Sequence, residues 1–333
     1  MENSPKNAQA SILSDRNLAL DACRVTEAAA LAASKWMGRG DEKCADQAAV
    51  DAMRTALNAL EIQGTVVIGE GERDEAPMLY IGEEVGAGKG PKIDIALDPL
   101  EGTTITASGG PNALAVMAFA EQGGFLNAPD VYMDKIAVGG GLPENVVDLD
   151  HSIEDNLISL AKAKQKEIND LVVCILNRPR HRDVIAKVRH AGARIMLIDD
   201  GDVSGVIATA NPTSGVDLYV GSGGAPEGVL ACAALRCIGG QFQGRLLFRN
   251  DDERGRAQRL GITDLNRKYD LIDLASGDVM FAATGVTDGA MLRGVKILSN
   301  QAQTHTIIMR SRTGTVRTIE AQHNLGRKSW VSV

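Results

Sequence analysis

Aromatic residues are scarce, with two Trp, four Tyr and five Phe in 333 positions. The core must therefore be aliphatic, and 36 Gly provide many tight turns and close backbone approaches. Cysteine is sparse too. Cys23, Cys44, Cys174, Cys232 and Cys237 are odd in number and form no C-x-x-C pair, which fits a reducing, cytoplasmic setting. The five His show no metal-ligand spacing, and no Gly-x-Ser-x-Gly nucleophile elbow occurs. Positive charge is in deficit: 35 Lys and Arg against 43 Asp and Glu give a net charge of −8. Nucleic acid and anionic membranes are therefore excluded as main partners, and an anionic substrate would need cations or local Arg to reverse the sign. No apolar run is long enough to cross a bilayer. The N-terminus from Met1 to Asn17 reads as polar and disorder-prone rather than as a signal peptide.

What is present is a globular balance of 44% hydrophobic and 23% charged residues, enough for one large or two ordinary domains. Helical spacing predicts helices over Leu18–Met37 and Ala45–Leu60. Short apolar runs at Thr65–Ile68, Ile93–Leu97 and Ala113–Met117, ended by Gly, Pro or Asp, predict buried strands. The loop-like stretch Leu142–Asp150 marks a boundary, dividing the chain into residues 1–150 and 151–333. Beyond it, helices near Ile153–Lys164 and Arg182–His190 alternate with strands Leu171–Leu176, Arg194–Ile198 and Val216–Val220. Further helices follow Asp202 and Pro226. Strands at Val279–Ala283, Thr306–Met309 and Thr315–Ile319 close the chain, and these can return to the first half. The alternation is that of an α/β fold.

Acids cluster at strand ends. Asp98-Pro-Leu-Glu-Gly-Thr103 directly follows a predicted strand, and its tight turn can bring Asp98 and Glu101 together. Two such carboxylates repel unless a cation sits between them, and hard divalent ions accept that arrangement. The Gly102 and Thr103 N–H groups and the Thr103 hydroxyl would offer donors to a phosphate. A capped turn with two solvated acids is the competing reading. Glu70 comes first off its strand in Ile68-Gly-Glu-Gly-Glu72, which favours a metal ligand, whereas Glu72, Asp74 and Glu75 read as an exposed loop. Asp46 alone reads as a helix-start residue. Gly221-Ser-Gly-Gly-Ala-Pro-Glu-Gly228 opens a helix suited to an anion, with Glu227 in reach of a cation, but it is not a dinucleotide fingerprint. Val85–Gly90 likewise is not a P-loop. Arg178-Pro179-Arg180 is either a stiff paired grip for phosphate or a basic surface turn. Asp200-Gly201-Asp202 can accept from sugar hydroxyls or cap the next helix. Cys44, beside Lys43, is either a low-pKa thiol or an inert small residue.

Taken as an ordered set, these segments resemble the class II fructose-1,6-bisphosphatases, including the bifunctional fructose-1,6-/sedoheptulose-1,7-bisphosphatases of cyanobacteria. The matching runs are Lys35–Gly40, Ile68–Glu72, Ala76–Glu83, Asp98–Thr103, Ala128–Met133, Arg178–His181, Asp200–Asp202 and Gly224–Gly228. The resemblance implies the sugar-phosphatase fold shared with inositol monophosphatases, a layered α-β-α-β-α sandwich with a metal-binding first half and a substrate-binding second half. It implies Mg²⁺ or Mn²⁺ on Asp46, Glu70, Asp98, Glu101 and Glu227. It implies substrate contacts at Glu101, Gly102, Thr103, Tyr132, Arg178, Pro179, Arg180, Asp200, Gly201, Asp202 and Gly224, with Thr103, Asp46 and Glu70 catalytic. The expected reaction removes the 1-phosphate of fructose 1,6-bisphosphate, in gluconeogenesis or the Calvin cycle, in a homodimer or homotetramer. The short Gly86–Gly90 loop stands where the bifunctional enzymes carry an insertion, which favours fructose over sedoheptulose bisphosphate. An inositol or nucleotide phosphatase, or a non-catalytic sugar-phosphate sensor, is the alternative.

Overall fold

Alternating apolar strands and amphipathic helices build a mixed α/β fold with two sheets in a computed structural model. The structure describes the backbone of residues 6–71 and 78–327, and side chains from Leu18 onward within those ranges. Glu72, Asp74, Glu75 and the start of the Ala76–Glu83 run lie outside the described residues.

In chain order the elements are α1 (Lys6–Ser34), α2 (Glu42–Asn58), β1 (Gln63–Ile68), β2 (Glu84–Val85), β3 (Lys92–Glu101), α3 (Thr103–Ser108), β4 (Leu114–Glu121), β5 (Tyr132–Gly139), α4 (Ile153–Lys164), β6 (Val172–Leu176), α5 (Arg182–His190), β7 (Arg194–Ile198), α6 (Asp202–Ala208), β8 (Leu218–Gly224) and α7 (Ala225–Ile238). There follow β9 (Gly240–Leu247), α8 (Asp251–Arg259), β10 (Lys268–Asp270), α9 (Leu271–Leu274), β11 (Val279–Gly285), β12 (Lys296–Leu298), β13 (Gln301–Arg310) and β14 (Thr315–Asn324).

The first sheet runs β12-β13-β11-β4-β3-β1-β2, with β14 also paired to β13. Its β1–β3 pair is parallel. The second runs β10-β9-β5-β8-β6-β7, parallel where β6 meets β7 and β8. Three aliphatic clusters hold the layers. Helices α1 and α2 bury Ala29, Leu31, Met53 and Leu57 against one face of the first sheet. Helix α7 lies between the sheets and touches strands of both. Its small residues, among them Ala231, Cys232, Ala233 and Ala234, are buried all round, as befits a helix with no solvent face. Leu157, Leu160, Ile185 and Val188 of α4 and α5 cover the outer face of the second sheet.

Local chemistry sets the helix starts. The Asp41 side chain accepts from Cys44 N at 2.9 Å to cap α2, and Ser152 accepts from Asp155 N at 3.0 Å to cap α4. Helix α1 begins at Lys6, earlier than expected. Its polar opening hides the helix from an apolar pattern, yet no Gly or Pro interrupts it before Leu18. Strands β5 and β9 were not anticipated. The β5 sequence carries Asp134 and Lys135 in its middle, a polar break that reads as a loop, although Lys135 is 1% exposed.

Candidate active site

Strand β3 runs on through Asp98 to Glu101, beyond the Leu97 end expected. Its partner β4 pairs Val116 with Asp98 but Leu114 with Glu101, so three steps on β3 match two on β4. A regular strand would put residues three apart on opposite faces. The extra residue is a β-bulge that turns both carboxyls to one side. Leu97 and Leu100 face the cluster under α1 and α2, while Ala96 faces the cluster between the sheets. Asp98 and Glu101 share that inter-sheet side and line one cavity. Gly102 then caps α3 at φ 96°, a conformation that costs a residue with a β-carbon.

Three further elements reach the cavity from the first-sheet side. The Gly38 and Gly40 N–H groups bond to the carbonyls of Thr106 and Ala107, both at 2.9 Å. That tie fixes the start of α2 beside α3 and brings in Asp46 from the helix's second turn. Glu70 follows β1, its N–H held by Leu79 O at 3.0 Å. Thr103 opens α3 at the cavity wall.

The second sheet supplies the opposite wall. A β-carbon at Gly223 would lie 2.0 Å from Asp202 Oδ2, and one at Gly224 would lie 1.9 Å from Glu227 Oε2. The glycines of this strand end thus leave room for two carboxylates. Asp202 opens α6, and Glu101 Oε1 accepts from Val203 N at 2.9 Å. Beneath them Lys135 Nζ meets Asp202 Oδ2 at 2.6 Å. From the end of β6, Arg180 donates through Nε and Nη2 to Ser222 O, at 3.1 and 2.8 Å, and lies 4.8 Å from the Tyr132 ring centre. Arg178 stands 3.6 Å from Asp200.

The cavity measures about 420 Å³. It gathers Asp46, Glu70, Asp98, Glu101, Gly102, Thr103, Tyr132, Arg178, Arg180, Asp200, Gly201, Asp202, Gly224 and Glu227, residues that span 181 positions of sequence. Pro179 is not among the lining residues; it starts a 3₁₀ turn that carries Arg180. Asp130 lines the cavity without having been singled out in the sequence. His181 is buried behind the wall. Its Nδ1–H donates to Leu176 O at 2.8 Å and its Nε2 accepts from Ser222 N at 2.8 Å, so it is a bracing group that needs no charge.

The acids sit in a field of their own making. Burial pushes the Glu70 carboxyl up to about 8, with Asp46 and then Glu227 adding to the rise. Burial, then Glu70 and Glu227, hold Asp98 well above the usual carboxylate range. Glu101 is raised by burial, then by Asp98 and Asp202. Glu227 is raised by burial and Asp202, against the pull of Lys135. Glu101 Oε2 and Glu227 Oε2 are buried and make no hydrogen bond. Crowded oxygen donors of this kind suit a hard divalent cation, which would relieve the repulsion and pair the orphaned oxygens. Among the described residues, no three His, Cys, Asp or Glu side chains are already close enough together to hold an ion. The donor set therefore fits such a cation by chemistry, without a finished cage.

Cys44 does not have the lowered thiol pKa considered from its neighbour Lys43. The Asp41 side chain beside it pushes the thiol up. No signal in the sequence marks Lys135, because a buried, fully paired polar residue leaves no pattern in the composition around it, and His181 stands in the Arg178–His181 run without a role of its own.

A sequence profile described as bacterial fructose-1,6-bisphosphatase, glpX-encoded, matches residues 16–323. The chain is 48% identical over 327 residues to the fructose-1,6-bisphosphatase 1 class 2 of Escherichia coli K12, covering 94% of this chain and 97% of that protein. It is equally similar, over the same shares of each chain, to the class 2 fructose-1,6-bisphosphatases of Escherichia coli O6:H1 and Shigella flexneri.

Proposed function

The chain belongs to the bacterial, glpX-encoded fructose-1,6-bisphosphatase family, and we propose that it hydrolyses the 1-phosphate of fructose 1,6-bisphosphate to fructose 6-phosphate and phosphate, a step of gluconeogenesis. The observation that carries this reading is one cavity that gathers crowded acids from both sheets together with the guanidinium groups of Arg178 and Arg180. The acid cluster suits the reacting phosphate with its cations, and the guanidinium groups suit the phosphate that is kept.

Asp46, Glu70, Asp98, Glu101 and Glu227 would hold Mg²⁺ or Mn²⁺, which when bound neutralises the ester phosphate and lowers the pKa of a water. The Gly102 and Thr103 N–H groups receive phosphate oxygens, and the Thr103 hydroxyl orients the attacking water. Asp46, with Glu70 beside it in the same acid cluster, takes the water's proton. A new P–O bond forms as the P–O bond to the sugar breaks, and the sugar oxygen takes a proton from solvent as it leaves. Arg178-Pro179-Arg180 holds the distal phosphate, and Asp200, Gly201 and Asp202 meet sugar hydroxyls beside Tyr132 and Gly224. Binding energy at the distal end positions the reacting end.

The same reading extends to the whole molecule. Helices between the sheets and on both outer faces support the layered α-β-α-β-α sugar-phosphatase fold related to inositol monophosphatases. The first half, joined by the last strands, would hold metal, and the second half would hold substrate. Among the described residues no helix is long and apolar enough to cross a membrane. The family reading places the protein in the cytoplasm as a homodimer or homotetramer. The test is phosphate release from fructose 1,6-bisphosphate, sedoheptulose 1,7-bisphosphate and inositol 1-phosphate with each cation. Fructose 1,6-bisphosphate should be cleaved in a cation-dependent way that Asp98→Asn abolishes. Inertness toward it with every divalent cation would end the proposal.

A further inference from the structure

The distal-phosphate wall is short of free donors. Eight carboxyl side chains line the cavity (Asp46, Glu70, Asp98, Glu101, Asp130, Asp200, Asp202 and Glu227) against the guanidinium groups of Arg178 and Arg180. Arg178 already faces Asp200. The Nε/Nη2 edge of Arg180, the edge best shaped to fork a phosphate, is committed to Ser222 O.

A third guanidinium, outside the residues that line the cavity, reaches the Tyr132 ring that lines it. Tyr132 starts β5 opposite Leu247, the last residue of β9. Two residues on, Arg249 comes back over the same ring, 5.2 Å from its centre, where Arg180 lies at 4.8 Å. Arg249 is held there by a specific device. Glu253, 1% exposed in the first turn of α8, accepts from Arg249 N at 2.7 Å and from Arg249 Nε at 2.6 Å, with Nη2 at 2.5 Å, so it is the Nη1 side of the guanidinium that is left to a ligand. The Arg249 side chain nevertheless keeps 61% of its surface exposed. An ordinary surface Arg gains little from one ion pair. Here a buried acid and an aromatic face both fix the cation, at the cost of bringing two like charges to one ring. An anion held by both guanidinium groups would offset that repulsion.

We propose that Arg249 is a further substrate-binding residue. Clamped by Glu253 over Tyr132 and beside Arg180, it binds the phosphate that is not cleaved and favours bisphosphates over monophosphates. This rests on the functional reading above and names one more residue of that site.

The experiment compares kcat and KM of the whole protein with fructose 1,6-bisphosphate and with p-nitrophenyl phosphate, which lacks a second phosphate. Arg249→Ala should raise KM for the bisphosphate about tenfold or more, the loss of a charge-assisted contact, with kcat little changed. It should leave p-nitrophenyl phosphate kinetics and the unfolding midpoint as they are. Arg249→Lys, which keeps charge but not the fork, should fall between. Glu253→Gln, which loosens the clamp, should raise KM in the same direction by less. An unchanged bisphosphate KM in Arg249→Ala, or an equal loss on both esters, overturns the proposal. Failure of the functional reading looks different: the wild-type protein itself would not cleave fructose 1,6-bisphosphate. Calorimetric binding of that compound to wild-type and Arg249→Ala protein would then decide the role of Arg249 on its own.

Discussion

Lys135 Nζ lies 2.6 Å from Asp202 Oδ2, and the two side chains are 0% and 6% exposed. A cation beneath an acid-rich cavity offsets part of the negative charge there, and it does so from a strand whose sequence gave no warning of it.

Removing one partner strands the other. Lys135→Met should cost about 3 kcal/mol or more of stability, because Asp202 is left buried without its counter-charge. Replacing both, as Lys135→Met with Asp202→Leu, should restore much of the loss. Urea denaturation of the three proteins checks this. An unchanged midpoint in Lys135→Met would show that the pair contributes nothing.

Gly224→Ala tests how Glu227 is seated. The backbone there has φ −63°, which alanine tolerates, and the nearest obstacle is the Glu227 carboxylate, 1.9 Å from the new carbon. Displacing Glu227 by an ångström or so should lower kcat by about a hundredfold. A Gly224→Ala/Glu227→Gln double variant should be no worse than Glu227→Gln alone. Full additivity of the two losses would contradict the steric account.

The sign of the pH dependence follows from Glu70. Its folded-state carboxyl, at about 8, lies above the ordinary value of 4.5. The folded state therefore holds a proton that the unfolded chain has released between those two values. Stability of metal-free protein should rise on acidification from pH 8 toward 5, by way of this group. Glu70→Gln should flatten that slope. Melting curves in a chelator measure it, and a slope that survives in the variant would assign the effect elsewhere.

A different network should fail in acid. Lys268 bridges Asp148 and Asp150, at 2.7 and 2.9 Å, and Arg245 reaches Asp150 at 2.7 Å, tying the loop after β5 to β9 and β10. Hydrogen bonds from Lys268 and Arg245 lower Asp150 to about 2. Its contribution is complete above the unfolded-state carboxylate range near 4 and is lost as pH falls toward 2. Lys268→Met should make the protein less sensitive to acid over that interval, by circular dichroism. Identical acid titrations of variant and wild type would refute the role of the bridge.

Much of this molecule could be read from its letters. The amphipathic α5 and the apolar β7 fall where their patterns place them. The acids at the ends of β1 and β3 announce themselves because carboxylates rarely follow buried strands without purpose. What could not be read is of two kinds. Strand β5 hides because its buried Lys135 is paired across the fold, where periodicity sees only sequence neighbours, and β9 because half-buried Gln241, Gln243 and Arg245 dilute its apolar residues. Asp46 alone looks like a helix-opening residue, and only the folded chain brings it into one cavity with Glu227, 181 positions away. Arg249 escaped for the same reason, since its partners Tyr132 and Glu253 define it and its own surroundings do not.

The surplus residue between Asp98 and Glu101 makes chain length itself an ingredient of the chemistry. Exchanging Leu100 for another aliphatic residue should matter little. Ironed into a regular strand with every residue kept, β3 would swing Glu101 through the sheet into the greasy layer beneath α1 and α2, and one wall of the cavity would lose its second acid though its letter still stood in the sequence. At this corner, counting outranks spelling.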